Sequence, residues 1–219
     1  MSLSADLYHT FGRVQTNLLV EGFYTRLDDV FALRDIEDTA DGGEMKERYN
    51  GSGATVRGLN AEGRAVFTRW FELQAGVTLQ QSRYKEPEFW SEDAEVPPVR
   101  RMFRTPDAYG YFTASFKPVR NFTADLSGTC TGSMLVQHMA GSGVAQDVAV
   151  STPSFFDMNI RLSYDVRIYK EITMQLYGGV QNLFNAYQKD FDKGVDRDSG
   201  YIYGPSLPRS WFVGAKFSF

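Results

Sequence analysis

One cysteine and two histidines in 219 residues close off several kinds of chemistry at once. With Cys130 alone no intrachain disulfide can form, and His9 and His138 lie too far from it for the spacing of a metal site. No metal, no other cofactor and no catalytic residue is expected, and Cys130 reads as a small apolar strand residue. The net charge of −4 lacks the basic excess that neutralises phosphates, so nucleic acid is not an expected partner. No run of about 18 apolar residues occurs, which excludes a membrane-crossing helix. The opening MSLSADLYHT lacks a basic segment followed by an apolar one, so it is not read as a signal peptide. Neither absence bears on a membrane β-barrel, whose strands alternate apolar and polar residues and average out in any hydropathy window.

What the chain does have is aromatics and glycine: 17 Phe, 12 Tyr and 20 Gly, a composition that favours strands over helices. The clearest segment runs from Phe156 to Ile168. Phe156, Met158, Ile160, Leu162, Tyr164, Val166 and Ile168 share one face, with Asp157, Asn159, Arg161, Ser163, Asp165 and Arg167 on the other. A period of two without a break is a strand. The same reading applies to Val14–Phe31, Val56–Phe67, Phe71–Gln80, Ala108–Phe116, Phe122–Met134, Glu171–Val180 and Trp211–Phe219. About eight antiparallel strands of roughly ten residues are expected, long for a globular sheet and suited to a tilted membrane crossing.

Tight links after Phe67, Lys117 and Ile168 alternate with long polar stretches at Ala32–Ser52, Tyr84–Thr105, His138–Pro153 and Asn185–Pro208. An outer-membrane barrel has this rhythm, with short periplasmic turns and long extracellular loops. An even strand count places both chain ends on the short-turn side. The apolar stripe then faces outer-membrane lipid and the polar stripe the lumen, where Asp157, Arg161, Asp165, Arg167, Glu62 and Arg64 all fall. An Arg or Lys facing lipid at the midplane would cost about 2–4 kcal/mol. Trp70, Phe71, Phe122, Tyr164, Trp211 and Phe219 lie near strand ends, where interfacial aromatic girdles form.

Three stretches carry a family resemblance. GGVQNLFNAYQ (Gly178–Gln188) is similar to the Asn-Leu-Phe motif of TonB-dependent outer-membrane receptors, here Asn182, Leu183 and Phe184. VRGLNAEGR (Val56–Arg64) resembles another recurring barrel strand of that family, and GPSLPRSWFVGAKFSF (Gly204–Phe219) its final strand. The resemblance implies a 22-stranded barrel of which residues 1–219 are a C-terminal segment, with the plug domain absent. It also implies a bacterial outer-membrane location. Gly214, Phe217 and Phe219 match the terminal signal read by the barrel-assembly machinery, whereas Phe212 stands where a polar residue is usual. The implied function is active uptake: the parent receptor binds a scarce extracellular nutrient, such as an iron–siderophore, haem, cobalamin or glycan. The TonB complex, acting through the missing plug, drives import. The implied partners are lipid, the rest of the receptor, the assembly machinery and TonB.

Ligand contacts are expected from aromatics on the long loops: Tyr84, Phe89, Trp90, Phe191, Tyr201 and Tyr203. A complete eight-stranded barrel serving as a structural or adhesion protein is the alternative, since eight strands close. An enzyme is disfavoured. His138 lies near Ser133 and Ser142 in sequence, but serines are common on polar faces and a nucleophile needs a base within about 3 Å. The carboxylates of Asp28–Glu44 do not follow the calcium-loop spacing and read as a solvated acidic loop.

Overall fold

The structure, a computed structural model, describes residues 1–36, 45–205 and 207–219. Of the acidic loop read from Asp28–Glu44, residues 37–44 lie outside the described residues. In chain order come β1 (Ser2–Phe11), β2 (Val14–Leu27), a small hairpin of β3 (Phe31–Ile36) and β4 (Met45–Asn50), β5 (Ala54–Thr68) and β6 (Phe71–Glu88). They are followed by the short β7 (Val99–Arg101), β8 (Ala108–Val119), β9 (Phe122–Thr131), a second hairpin of β10 (Leu135–His138) and β11 (Val148–Ser151), β12 (Phe155–Tyr169), β13 (Ile172–Gln181) and β14 (Ser210–Ser218). One antiparallel sheet runs β1-β2-β5-β6-β8-β9-β12-β13-β14, with β7 added to β6.

Two-residue turns at 12–13, 69–70, 120–121 and 170–171 join the strands at one end, and the long connections all lie at the other. Gly12 has φ +63°, the left-handed conformation that a tight hairpin turn needs and that glycine adopts without a Cβ penalty. Register then fixes the faces. One cross-strand row passes through all nine strands as His9, Thr16, Ala65, Leu73, Ala114, Leu126, Ile160, Val180 and Trp211. The neighbouring row on the opposite face reads Thr10, Gln15, Val66, Glu72, Ser115, Asp125, Arg161, Gly179 and Phe212. A slip of one residue in any strand would swap these sets, so the pattern itself pins the register.

The polar face is knitted by side chains: Asn60 Nδ2 donates to Glu21 (3.1 Å), Thr78 Oγ1 to Asn60 (2.8 Å) and Gln74 Nε2 to Glu62 (2.6 Å). Arg64 pairs with Glu72 at 2.5 Å, and Gln175 bridges Arg161 and Asp165. The apolar face leaves Leu18, Leu59, Val77, Leu79, Leu162 and Val213 exposed. Its exposed apolar area is far larger than a soluble monomer normally shows.

Two sequence expectations change. The first strand is an addition: β1 brings the meander to nine strands, because Leu3, Ala5, Leu7, His9 and Phe11 alternate with Ser2, Ser4, Asp6, Tyr8 and Thr10. Tyr8 on the polar face and His9 on the apolar one blur that alternation. With nine strands the chain ends lie at opposite ends of the sheet, the N-terminus beside the long connections and the C-terminus beside the short turns. The sheet is also open, since β1 and β14 flank it as edges. Both run in the same direction, so antiparallel closure between them is not available, and the complete eight-stranded barrel is not formed.

Candidate functional site

The long connections fold over the polar face and build two features. The first is a crevice of about 630 Å³ where the connections after β2, β6 and β9 meet. Phe31, Tyr49, Tyr84, Phe89, Trp90 and Phe103 line it, with Glu88 and Glu92 among them. Trp90 stands edge-on to Phe103 with centroids 5.3 Å apart, and its indole N–H donates to Pro97 O at 3.3 Å. The Tyr49 hydroxyl donates to Glu88 at 3.4 Å. Phe89 is three-quarters exposed, an open ring at the rim. Tyr84, Phe89 and Trp90 are thus brought together. Phe31, Tyr49 and Phe103 complete the ring set, and the sequence signal for them was their position as aromatics flanking long connections.

The second feature is a dry loop core. Val136, Phe155, Tyr201 and Tyr203 are buried together, with Met134, Val150 and Ala186 packed on them. Both tyrosine hydroxyls donate to one carboxylate, Tyr201 to Asp190 at 2.8 Å and Tyr203 to Asp190 at 2.6 Å. Gln188, also buried, joins Tyr201 O and Tyr203 N. The imidazole of His138 stacks flat on Tyr201 at 3.7 Å, and its Nε2 lies 3.0 Å from both carboxylate oxygens of Asp192. Asp198 then caps Met139 N and Gly200 N. This chain of contacts ties the connection after β9 to the connection after β13.

Electrostatics follow from that packing. Burial pushes the Asp190 carboxyl up, and the Tyr203 and Tyr201 hydroxyls more than offset it, so the group lies below the usual carboxylate range. The bond from His138 holds Asp192 below that range as well. Burial, then Asp190, pushes the Tyr203 phenol up to about 12 and moves Tyr201 in the same direction. These tyrosines are spent on structure, whereas Phe191, 44% exposed, lines neither the crevice nor the core. The Ser142 hydroxyl donates to Lys193 O at 2.8 Å, and the Nε2 of His138 is engaged by Asp192 rather than by serine.

The Asn-Leu-Phe stretch pins a connection. Asn182, buried and at φ +49°, donates to Ala186 O and Leu207 O (2.9 Å each) and accepts from Ala186 N at 2.8 Å. Phe184 stacks on Phe156 at 5.8 Å on the apolar face. In β14, Gly214 lies opposite Tyr177 and Phe217 opposite Met174, while Phe219 is exposed beyond the last pair.

No family model matches the chain, and no curated protein matches it in sequence. Solved structures do. The ferric-catecholate import receptor Fiu from E. coli K12 is similar at 18% identity and TM-score 0.61, over 98% of this chain and 26% of that one. The copper transporter OprC is similar at 14% and 0.60, over 100% and 31%. The FrpB iron transporter from Neisseria meningitidis is similar at 12% and 0.57, over 98% and 30%. The chain has the fold of these outer-membrane receptor barrels. It spans between 26% and 31% of their length, and its open sheet has the form of a barrel segment.

Proposed function

We propose that this chain is a C-terminal segment of the barrel wall of a TonB-dependent uptake receptor in a bacterial outer membrane. Its short turns face the periplasm and its long connections the exterior. One observation carries the reading. From the row of Leu3, Gly22, Leu59 and Leu79 down to the short turns, no strand position paired on the apolar face holds Asp, Glu, Lys or Arg. A sheet that turns this face to water gains nothing from such purity, whereas in hydrocarbon every unpaired charge is expensive. The rest of the barrel would cover the two sheet edges, the barrel-assembly machinery would read Gly214, Phe217 and Phe219, and TonB would act through a plug.

The crevice of Tyr84, Phe89 and Trp90 is the proposed outer ligand contact. Flat rings beside Glu88 and Glu92 suit a scarce nutrient that carries planar or cationic groups, and catalysis has no place in this scheme. Folding in detergent tests the wall: the expected result is heat-modifiable gel migration and strict dependence on detergent. A monomer freely soluble without detergent would sink the reading.

A further inference from the structure

Among the described strand positions paired on the apolar face, the charged ones are all arginines and all lie at the long-connection end. Above the row of Leu3, Gly22, Leu59 and Leu79 come two more rows on the same face: Tyr24, Arg57 and Gln81, then Arg26, Thr55 and Arg83. Lys85 follows on β6 two residues beyond Arg83. Arg57 and Arg83 are exposed, and among the described residues neither faces a carboxylate: Arg57 donates to Gln81 at 2.8 Å, and Arg83 stands opposite Arg101. Arg26 and Lys85 share the single carboxylate of Asp28, while Arg101 is paired with Asp107 and Arg100 with Glu86. Among the described residues, these four cations thus have one carboxylate between them, that of Asp28.

Directly below them lies a groove of about 910 Å³. Leu3, Leu59 and Leu79 form its apolar part, and Gly22, between Leu3 and Leu59 in the row, leaves the gap that makes it concave. Tyr24, Arg57 and Gln81 border its upper end. An apolar trough topped by guanidinium groups that meet no carboxylate among the described residues has the two halves of an anionic lipid: room for acyl chain, and donors that meet phosphate oxygens in pairs.

We propose that the β2–β5–β6 face is a binding site for a phosphate-bearing lipid of the leaflet at the long-connection end, its phosphate between Arg57 and Arg83 and a chain along Leu59 and Leu79. The site rests on the membrane-wall reading, because only a lipid-facing wall brings a headgroup to that height. A soluble anion would leave the groove without an occupant.

The test uses the full chain in phosphatidylcholine bilayers carrying spin-labelled phosphatidic acid or spin-labelled phosphatidylcholine, with the motionally restricted fraction read by electron paramagnetic resonance. Wild type should restrict the phosphatidic acid label preferentially, and added salt should weaken that preference. Removing a cation near a membrane surface changes binding roughly fivefold, so Arg57→Gln and Arg83→Gln should each cost about that much and the double variant should abolish the preference. Arg69→Gln/Arg120→Gln, at the turn end, should leave it intact. Resistance to alkaline extraction from pure phosphatidylcholine is read first on the same samples. A chain that fails to insert overturns the wall and the site together. One that inserts but restricts both labels equally, or whose preference survives the double variant, overturns the site alone. Binding of inorganic phosphate by the detergent-solubilised chain, without preference for the lipid label, overturns the lipid assignment.

Discussion

The ring of Tyr177 lies across Gly214, its cross-strand partner on the polar face, and a Cβ at residue 214 would stand 2.5 Å from the ring carbon Cζ and the hydroxyl oxygen. Gly76 under Tyr111, Gly128 under Phe112 and Gly58 under Phe23 repeat the arrangement, each glycine directly opposite its ring. The aromatic covers backbone that glycine would otherwise leave bare. Gly214→Val should therefore cost about 1–3 kcal/mol by overpacking, read as a lower unfolding midpoint in detergent. Tyr177→Ala in the same chain should return part of the loss. If the two losses simply add, the contact is not what makes glycine necessary.

Leu126 and Ser127 are neighbours that point to opposite media. Leu126 sits between Ala114 and Ile160 on the apolar face, and Ser127 between Thr113 and Asn159 on the polar one. Leu126→Arg should destabilise the lipid-embedded chain by about 2–4 kcal/mol. Ser127→Arg, an added charge on a wet face, should stay within about 0.5 kcal/mol. Urea unfolding in bilayers measures both, and equal losses would show that the faces do not meet different solvents.

Most strands were legible in the sequence because their period of two is unbroken: Phe156–Ile168 lies within β12, and Trp211–Phe219 runs one residue past the end of β14, whereas β1, with Tyr8 and His9 on unexpected faces, was not legible. The loop rhythm was legible for a related reason, since tight turns need only two residues and long connections cannot hide. What the sequence did not show was which aromatics meet. Tyr84, Phe89 and Trp90 are close along the chain and share a crevice, yet Phe31, Tyr49 and Phe103 reach it from other connections. Tyr201 and Tyr203 look the same as those residues in sequence, and only the carboxylate of Asp190 beneath them turns both into core. Arg57 is a similar case. Its strand alternates correctly, so its face was readable, but its height relative to Arg26 and Arg83 depends on the registers of β2, β5 and β6.

Asn182 satisfies three backbone groups that no neighbouring strand can reach: Ala186 N, Ala186 O and Leu207 O. Asn182→Ala leaves them unpaired and keeps a positive φ that alanine tolerates poorly, so a loss of about 1–3 kcal/mol is expected. Asn182→Gly relieves the backbone without restoring the bonds and should fall between wild type and alanine. Proteolysis of the 182–209 connection measures local opening, and a glycine variant as resistant as wild type would mean that φ alone matters.

Acid and base should open the loop core from different sides. Asp190 and Asp192 titrate lower in the folded chain than unfolded, so the stability they contribute is present above the ordinary carboxylate pKa of about 4 and is lost as pH falls through their lowered values. Tyr201 and Tyr203 titrate higher when folded. Their contribution is complete below about pH 10, the ordinary phenol value, and is lost as pH rises through the folded values, about 12 for Tyr203. Protection of the Tyr201 and Tyr203 amides, measured against the intrinsic exchange rate at each pH, should accordingly hold across the interval and fall at both limits, with tyrosinate absorbance marking the alkaline one. The His138→Ala variant removes the main cause of the Asp192 shift, so its acid limit should move up towards pH 4 while the alkaline limit holds. An acid limit that does not move in that variant would mean that the His138–Asp192 contact does not set it.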